Sequence, residues 1–347
     1  MRLFTVIAAL IATGTFVATA NASQIVSTST VRNLTLGVNN KGEAMVSYVA
    51  KGKPVHVLAF AGLNAAVPLE GGQQVALTLK YDGGYSRYYT SNTTAKTAIA
   101  NLRNLQAAAR RATAAGDNPL RYLLKPKIAA AYALLATLRA RANSYWKTFT
   151  CPAYDGPALA WESAACKAPD GSYWAIQEWQ RQLPDYGLAP TSAQAANEVH
   201  LSHWTGPLPV LTIRMNWAYK RYDHLFGTLT YAGTGVYGFH STAGGEPLDR
   251  FGRNLYIDTF DSAYGPGWER DNSFLTHRPG GSFCYGFYPH SANPAGNGSK
   301  YRATIIGPGV TPDLMWAGDA PGPYDATAQT DANAAIVALD DPLCKRV

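Results

Sequence analysis

The chain has 347 residues, with 30 Lys and Arg against 23 Asp and Glu for a formal net charge of +7, and only 15% of it is charged. At 47% hydrophobic and 12% aromatic residues, with 32 Gly and 21 Pro, it lacks the charge density of a coiled coil or an acidic disordered chain and the glycine repeat of collagen. These figures describe a globular, turn-rich protein of one or two domains.

Arg2 precedes an apolar run from Leu3 to Val17, and Ala20-Asn21-Ala22 follows with the small residues that a signal peptidase reads. Residues 1–22 therefore read as a signal peptide cleaved after Ala22, because the run falls short of the ~20 apolar residues that span a bilayer. No later stretch is apolar and long enough to cross a membrane, and no Cys near the cleavage point offers a lipid attachment. The expected product is soluble and extracytoplasmic, either secreted or associated with the cell envelope.

Residues 23–92 read as an N-terminal β part. Val46 and Tyr48 follow the turn Asn39-Asn40-Lys41-Gly42, Val55 to Phe60 is a short apolar run, and Val75, Leu77 and Leu79 alternate with polar or small residues. Residues 93–142 are alanine-rich and read as a helical hairpin inserted into the β structure. Ile99, Leu102, Leu105 and Ala109 recur at helical spacing before Gly116, and Leu124, Ile128, Ala131, Leu135 and Leu138 do so after it. Asn118 is placed to cap the second arm with Pro119 at its first position, and Pro126 is expected to kink that arm or delay its start.

Residues 143–347 read as the main β part. Asp170-Gly171 is a hairpin turn into Ser172–Trp179, Val199 and Leu201 alternate with Glu198, His200 and Ser202, and Leu211, Ile213, Met215, Trp217 and Tyr219 keep period two. Leu255–Phe260 and Tyr301–Ile306 add strands, and a short helix is expected over Ala328–Leu339. The fold class is mainly β, an antiparallel sandwich or irregular barrel carrying the helical hairpin. All four cysteines fall in this part, and an even number in an oxidising compartment reads as two disulfides. Three pairings are possible. The loop containing Pro152, Gly156 and Pro157 favours Cys151 with Cys166, leaving Cys284 with Cys344. A nucleophilic Cys284 between His277 and His290 is the weaker alternative, because it would strand an odd cysteine.

Phosphate-loop, H-E-x-x-H and G-x-S-x-G motifs are absent, and Gly233–Gly238 fits G-x-G-x-x-G only formally, since strands flank it and a hairpin turn is expected. Six of the seven histidines, His200, His203, His224, His240, His277 and His290, share the span 198–290 with Glu198, Asp223, Asp258, Asp261 and Asp271. Glu198 and His200 project from one strand face, and Asp223-His224 offers a second pair, so Glu198, His200, Asp223 and His224 are the candidate catalytic residues of a hydrolase acting on glycan or peptide. The competing reading makes them hydrogen-bonding residues of a polar β surface, and the lack of ligand spacing favours it; no metal or cofactor is expected.

Tyr264, Trp268, Tyr285, Tyr288, His290 and Trp316 sit among Gly, Pro, Asp and Asn in expected loops. Such aromatics suit a sugar ring, whose C–H face stacks on them while its hydroxyls reach polar neighbours, so polysaccharide is the expected ligand. The blocks Tyr81-Asp82-Gly83-Gly84, Cys166 to Trp174, Ser202-His203-Trp204-Thr205-Gly206-Pro207-Leu208 and Phe283 to His290 resemble a group of secreted bacterial proteins without an assigned activity. That resemblance implies export and a single unit, and no chemistry; the alanine-rich insert departs from it.

Charge is concentrated in the insert. From Thr94 to Lys147, ten basic side chains against Asp117 give +9, leaving −2 for the rest of a +7 chain. The hairpin is expected to rest on anionic envelope polymers or lipid head groups, with an attraction that salt weakens, and an exported protein has no nucleic-acid target. A helix face that is merely solvated, and a scaffold using the hairpin for partner contacts, are the plainer alternatives.

Overall fold

The computed structural model describes residues 23–65, 75–85, 93–181, 183, 191–192, 194–235, 254–262, 265–270, 274–277, 282–286, 298–306, 309–340 and 344. Ahead of the helices come β1 (Gln24–Ser27), β2 (Arg32–Val38), β3 (Ala44–Ala50), β4 (Lys53–Phe60), β5 (Asn64–Ala65) and β6 (Thr78–Lys80). Then follow α1 (Thr93–Ala114) and α2 (Asn118–Ser144), β7 (Glu162–Lys167), β8 (Tyr173–Trp179), β9 (Glu198–Thr205), β10 (Val210–Ala218), β11 (Tyr222–Tyr231) and β12 (Thr234–Gly235). The chain continues through β13 (Asn254–Ser262), β14 (Gly265–Arg270), β15 (Phe274–His277), β16 (Ser282–Gly286), β17 (Lys300–Ile306), β18 (Leu314–Asp319) and α3 (Ala326–Ala338).

These strands build two sandwiches. The first sheet runs β1-β9-β8-β7 and the second β2-β3-β4-β6. Period-two alternation sends Val199, Leu201, Trp174 and Ile176 from the first to meet Val46, Val57 and Ala59 from the second. The third sheet, β10-β11-β16-β15, packs Leu225, Leu229 and Phe283 on Ile257, Tyr301, Ala303 and Ile305 of the fourth, β14-β13-β17-β18. Pairing is antiparallel except for the short β5 beside β9, and the described sheets are open rather than closed into a barrel. β1 and β5 join strands from beyond the helices, so residues on both sides of the hairpin share one sheet.

Both favoured disulfides are present, Cys151–Cys166 and Cys284–Cys344, with Cα separations of 5.0 and 5.5 Å. Cys284 therefore has no thiol to offer as a nucleophile. The second bridge lies under α3, whose Ala332 and Ile336 cover Phe226 on the outer face of the third sheet. Ala232 and Gly233, both at positive φ, turn β11 back into β12, so the described part of the G-x-G-x-x-G segment is a hairpin turn.

Two details at the start of α2 differ from expectation. The capping side chain is Asp117, whose Oδ1 accepts from the Leu120 amide at 3.0 Å, one residue before Asn118. Pro126 does not delay the start of the helix, which runs through it from Asn118 to Ser144. At the base of the hairpin a 3-10 turn, Tyr145–Thr148, ties the helices to the second sheet. The Trp146 indole donates to the Gly83 carbonyl at 2.9 Å and lies on His56 with centroids 4.3 Å apart, and Tyr145 bonds to Glu43. Gly83 has φ +62, and a Cβ there would come within 2.9 Å of the indole nitrogen, which is why this approach needs glycine.

Candidate functional site

The outer faces of β8 and β9 do not meet water. The second sandwich covers them, with Trp204 and Ala175 against Tyr231 and Leu314, and Trp179 against Ile306 and Met315. Glu198, His200, Ser202 and Gln177 are carried by the same alternation into this seam and are buried. Glu198 and His200 do come together, with His200 Nε2 3.4 Å from Glu198 Oε2. On the other side of the ring, Nδ1 lies 3.0 Å from the Ser23 hydroxyl and 3.6 Å from Asp313 Oδ2.

Asp313 organises this end of the seam. Its Oδ2 accepts from Ser23 Oγ at 2.8 Å and from the Trp179 indole at 3.0 Å. Gln177 clamps its backbone, donating to the carbonyl and accepting from the amide, both at 2.9 Å. Asp313 Oδ1 and Ser202 Oγ, both buried, have no hydrogen-bond partner, and Glu198 Oε2 and His200 Nε2 have only their 3.4 Å contact with each other. Unpaired polar atoms of this kind cost ~1–3 kcal/mol each in a folded protein and mark a place to look for function.

Glu198 also lines an open cleft of about 440 Å³, together with Ile25, Arg181, Gln194, Tyr256 and Arg270. Arg270 lies over the Tyr256 ring at 3.8 Å and binds Asp258 Oδ1 at 3.0 Å. Arg302 takes the other oxygen of Asp258 at 2.6 Å, and the rings of Trp161, Trp179 and Trp268 surround its guanidinium at 4.6–5.4 Å. One buried carboxylate thus fixes two arginines, one sealed in the seam and one facing the cleft. The cleft sets an anion receptor beside a hydrogen-bond acceptor, an arrangement that suits a ligand with an acidic group and a hydroxyl or amine.

The second expected pair is not a pair. Asp223 and His224 are neighbours on β11 and point to opposite faces. Asp223 accepts from the Tyr301 hydroxyl at 2.7 Å inside the second sandwich, and burial pushes its carboxyl up to about 6. His224 faces α3, donates from Nδ1 to Asn216 Oδ1 at 2.7 Å, and is held neutral by burial, which lowers its pKa to about 4. Tyr301 and Arg302 project from opposite faces of β17, so Asp223 lies on the far side of the fourth sheet from Glu198 and His200.

His203 stacks on Trp174, centroids 3.8 Å apart, with Ser172 Oγ 2.9 Å from its Nε2 and the Gly62 carbonyl 2.7 Å from its Nδ1. This Ser–His contact is a staple between two chain segments. The Ser172 amide already donates to Asp170 at 3.0 Å, leaving no amide hydrogen there for a developing oxyanion.

Of the expected sugar-binding aromatics, Trp268 and Trp316 lie on strands β14 and β18 rather than in loops. Trp268 is packed on Arg302 and edge-on to Phe260, and Trp316 packs against the core of the second sandwich. Tyr285 belongs to β16, while Tyr264, Tyr288 and His290 lie outside the described residues, as do His240 and Asp271. Sequence reasoning passed over Ser23, Asp313, Arg270 and Arg302. Only Asp258, noted among the acids, gave a signal, and its partners across β14 and β17 are visible only from the strand register.

The hairpin presents a different surface. A shallow hollow of about 580 Å³ between its arms is lined by Arg110, Thr113, Arg121, Tyr122, Lys125 and Ile128, among others. Beside it Tyr122 is 81% exposed and Leu123 62%, at the start of α2 where Leu120 is exposed too. Among the described residues no helix is long and apolar enough to cross a membrane.

No protein family, curated protein or solved structure matches this chain.

Proposed function

We propose that this protein docks on an anionic phospholipid surface of the cell envelope through α1 and α2, holding the two sandwiches off that surface. One observation carries the reading: the hairpin concentrates +9 in one segment while exposing Leu120, Tyr122 and Leu123 next to Arg110, Arg121 and Lys125. Cations alone would serve a soluble polyanion. Exposed leucine and tyrosine beside them suit the boundary between head groups and acyl chains. Each Lys or Arg at an anionic surface contributes ~1 kcal/mol, and the attraction fades within a Debye length. Co-sedimentation of the exported protein with phosphatidylglycerol-containing vesicles tests the proposal. Binding should fall steeply with salt, and the triple variant Arg110→Gln, Arg121→Gln, Lys125→Gln should lose ~100-fold in affinity. Binding that ignores both salt and substitution removes the reading.

A second reading rests on the cleft, where Glu198 presents a buried acceptor below Arg270. It makes the protein a hydrolase of acidic glycans or peptides. Arg270 receives the substrate's carboxylate, and Glu198, backed by His200, moves the proton. Turnover of polyuronate or acidic-peptide substrates that disappears in Glu198→Gln supports it, and turnover independent of Glu198 sinks it.

A further inference from the structure

The seam holds two buried carboxyl groups, Glu198 and Asp313, with the imidazole of His200 between them at 3.4 and 3.6 Å; Arg181 and Arg270 line the cleft that Glu198 borders, whereas among the described residues no lysine or arginine pairs with Asp313. Burying a carboxylate without a paired cation is expensive. Asp313 is 1% exposed and its Oδ1 has no partner. Ser23 is fully buried against this carboxylate, and it directly follows Ala22, where the sequence expects a peptidase to cut.

We infer that the cut after Ala22 completes the fold: the new α-ammonium of Ser23 is the missing cation of the seam and pairs with Asp313. In that hydrolysis the Ala22–Ser23 amide bond breaks, water supplies the second oxygen of the Ala22 carboxylate, and both protons of that water end on the Ser23 nitrogen, which becomes an ammonium. The agent is a signal peptidase that reads the small residues Ala20 and Ala22.

The geometry supports the pairing from two sides. Ser23 Oγ is 2.8 Å from Asp313 Oδ2, and in any staggered rotamer the backbone nitrogen stays within ~3–4 Å of its own Oγ. Those two lengths place the ammonium within ~7 Å of the Asp313 carboxylate, a gap that rotation of the freed chain end can close. Gln24 pairs with Leu201 across β1 and β9, so extending the register sets Ser23 opposite Ser202, whose buried hydroxyl is a further unpartnered acceptor. An uncut chain has one neutral amide hydrogen at this nitrogen where the ammonium has three and a charge.

The full-length chain, exported and purified, tests this by intact mass and by slow labelling of its α-amine with acetic anhydride at neutral pH. The expected N-terminus is Ser23, and its amine should react at least ~10-fold more slowly in the native protein than in urea, as buried, ion-paired groups do. Asp313→Asn should abolish most of that protection. Should that variant not fold, insertion of one Gly between Ala22 and Ser23 keeps Asp313 and displaces the charge, and it should restore fast labelling and lower the thermal midpoint. A different N-terminus, an amine that reacts at the unfolded rate, or an insertion that leaves the midpoint unchanged overturns the inference. Membrane docking stands or falls separately, because no hairpin cation takes part.

Discussion

Arg302 and Arg121 carry the same guanidinium and are used in opposite ways. Arg302 is 1% exposed, bound to Asp258 and to the Gln180 carbonyl, and walled by three tryptophans. Arg121 is exposed on the hairpin, where its guanidinium reaches Asn118 Oδ1 at a long 3.4 Å. The seam spends its charges on holding two sandwiches in one orientation, with the one carboxylate of Asp258 binding both Arg270 and Arg302. The hairpin instead carries side chains such as Arg121 on helix faces that meet water. A single net charge of +7 describes neither region.

The largest effect should come from breaking a match in the seam. Asp258→Ala leaves Arg302 and Arg270 without their shared carboxylate and should destabilise the protein by ~3–5 kcal/mol in urea titration. Adding Arg302→Met should recover much of that loss; no recovery would mean that the carboxylate acts through something other than its arginines. In the hairpin, Pro126→Ala restores a backbone donor in the helix interior and should raise the local stability of α2 by up to ~3 kcal/mol, read by amide exchange, with little change in the sandwiches.

Asp223 and His224 sharpen the comparison through pH. The Asp223 carboxyl is raised from its ordinary value to about 6, so its contribution falls as pH climbs from about 4 to 6. His224 is lowered to about 4, so its contribution grows as pH climbs from about 4 to 6.5. Each is worth up to ~3 kcal/mol, and in the native protein they oppose each other. Asp223→Asn should therefore gain stability at pH 7 and unmask a rising profile, while His224→Gln should show a falling one. Parallel profiles for the two variants would contradict this assignment. The smallest effect belongs to the hairpin cations: the triple variant at Arg110, Arg121 and Lys125 should change global stability by less than ~0.5 kcal/mol. A larger loss would show that these charges are structural.

Much of this architecture is legible in the sequence, and the limits have physical causes. Period two across Val199, Leu201 and their neighbours identifies β9 and its polar face. It cannot tell a polar face turned to water from one buried under a second sandwich, and that distinction turns Glu198 and His200 from surface residues into seam residues. Asp313 follows a Gly- and Pro-rich stretch with no periodicity, so nothing local distinguishes it from other loop acids. Trp268 was expected in a loop because Gly265-Pro266-Gly267 precedes it. Those residues instead open β14, where the ring meets Arg302. The paired cysteines were readable because the loop closed by Cys151 and Cys166 is short and turn-rich. The cationic hairpin was readable because helical spacing and charge bias are both local.

The pairing of β1 with β9 also dictates when this protein can fold. Ser23 finds His200 only 177 positions later and Asp313 only 290 positions later, so the first strand to leave the ribosome waits for nearly the whole chain. Such high contact order makes folding slow, because the entropy of closing these long loops is lost before the contacts that repay it can form.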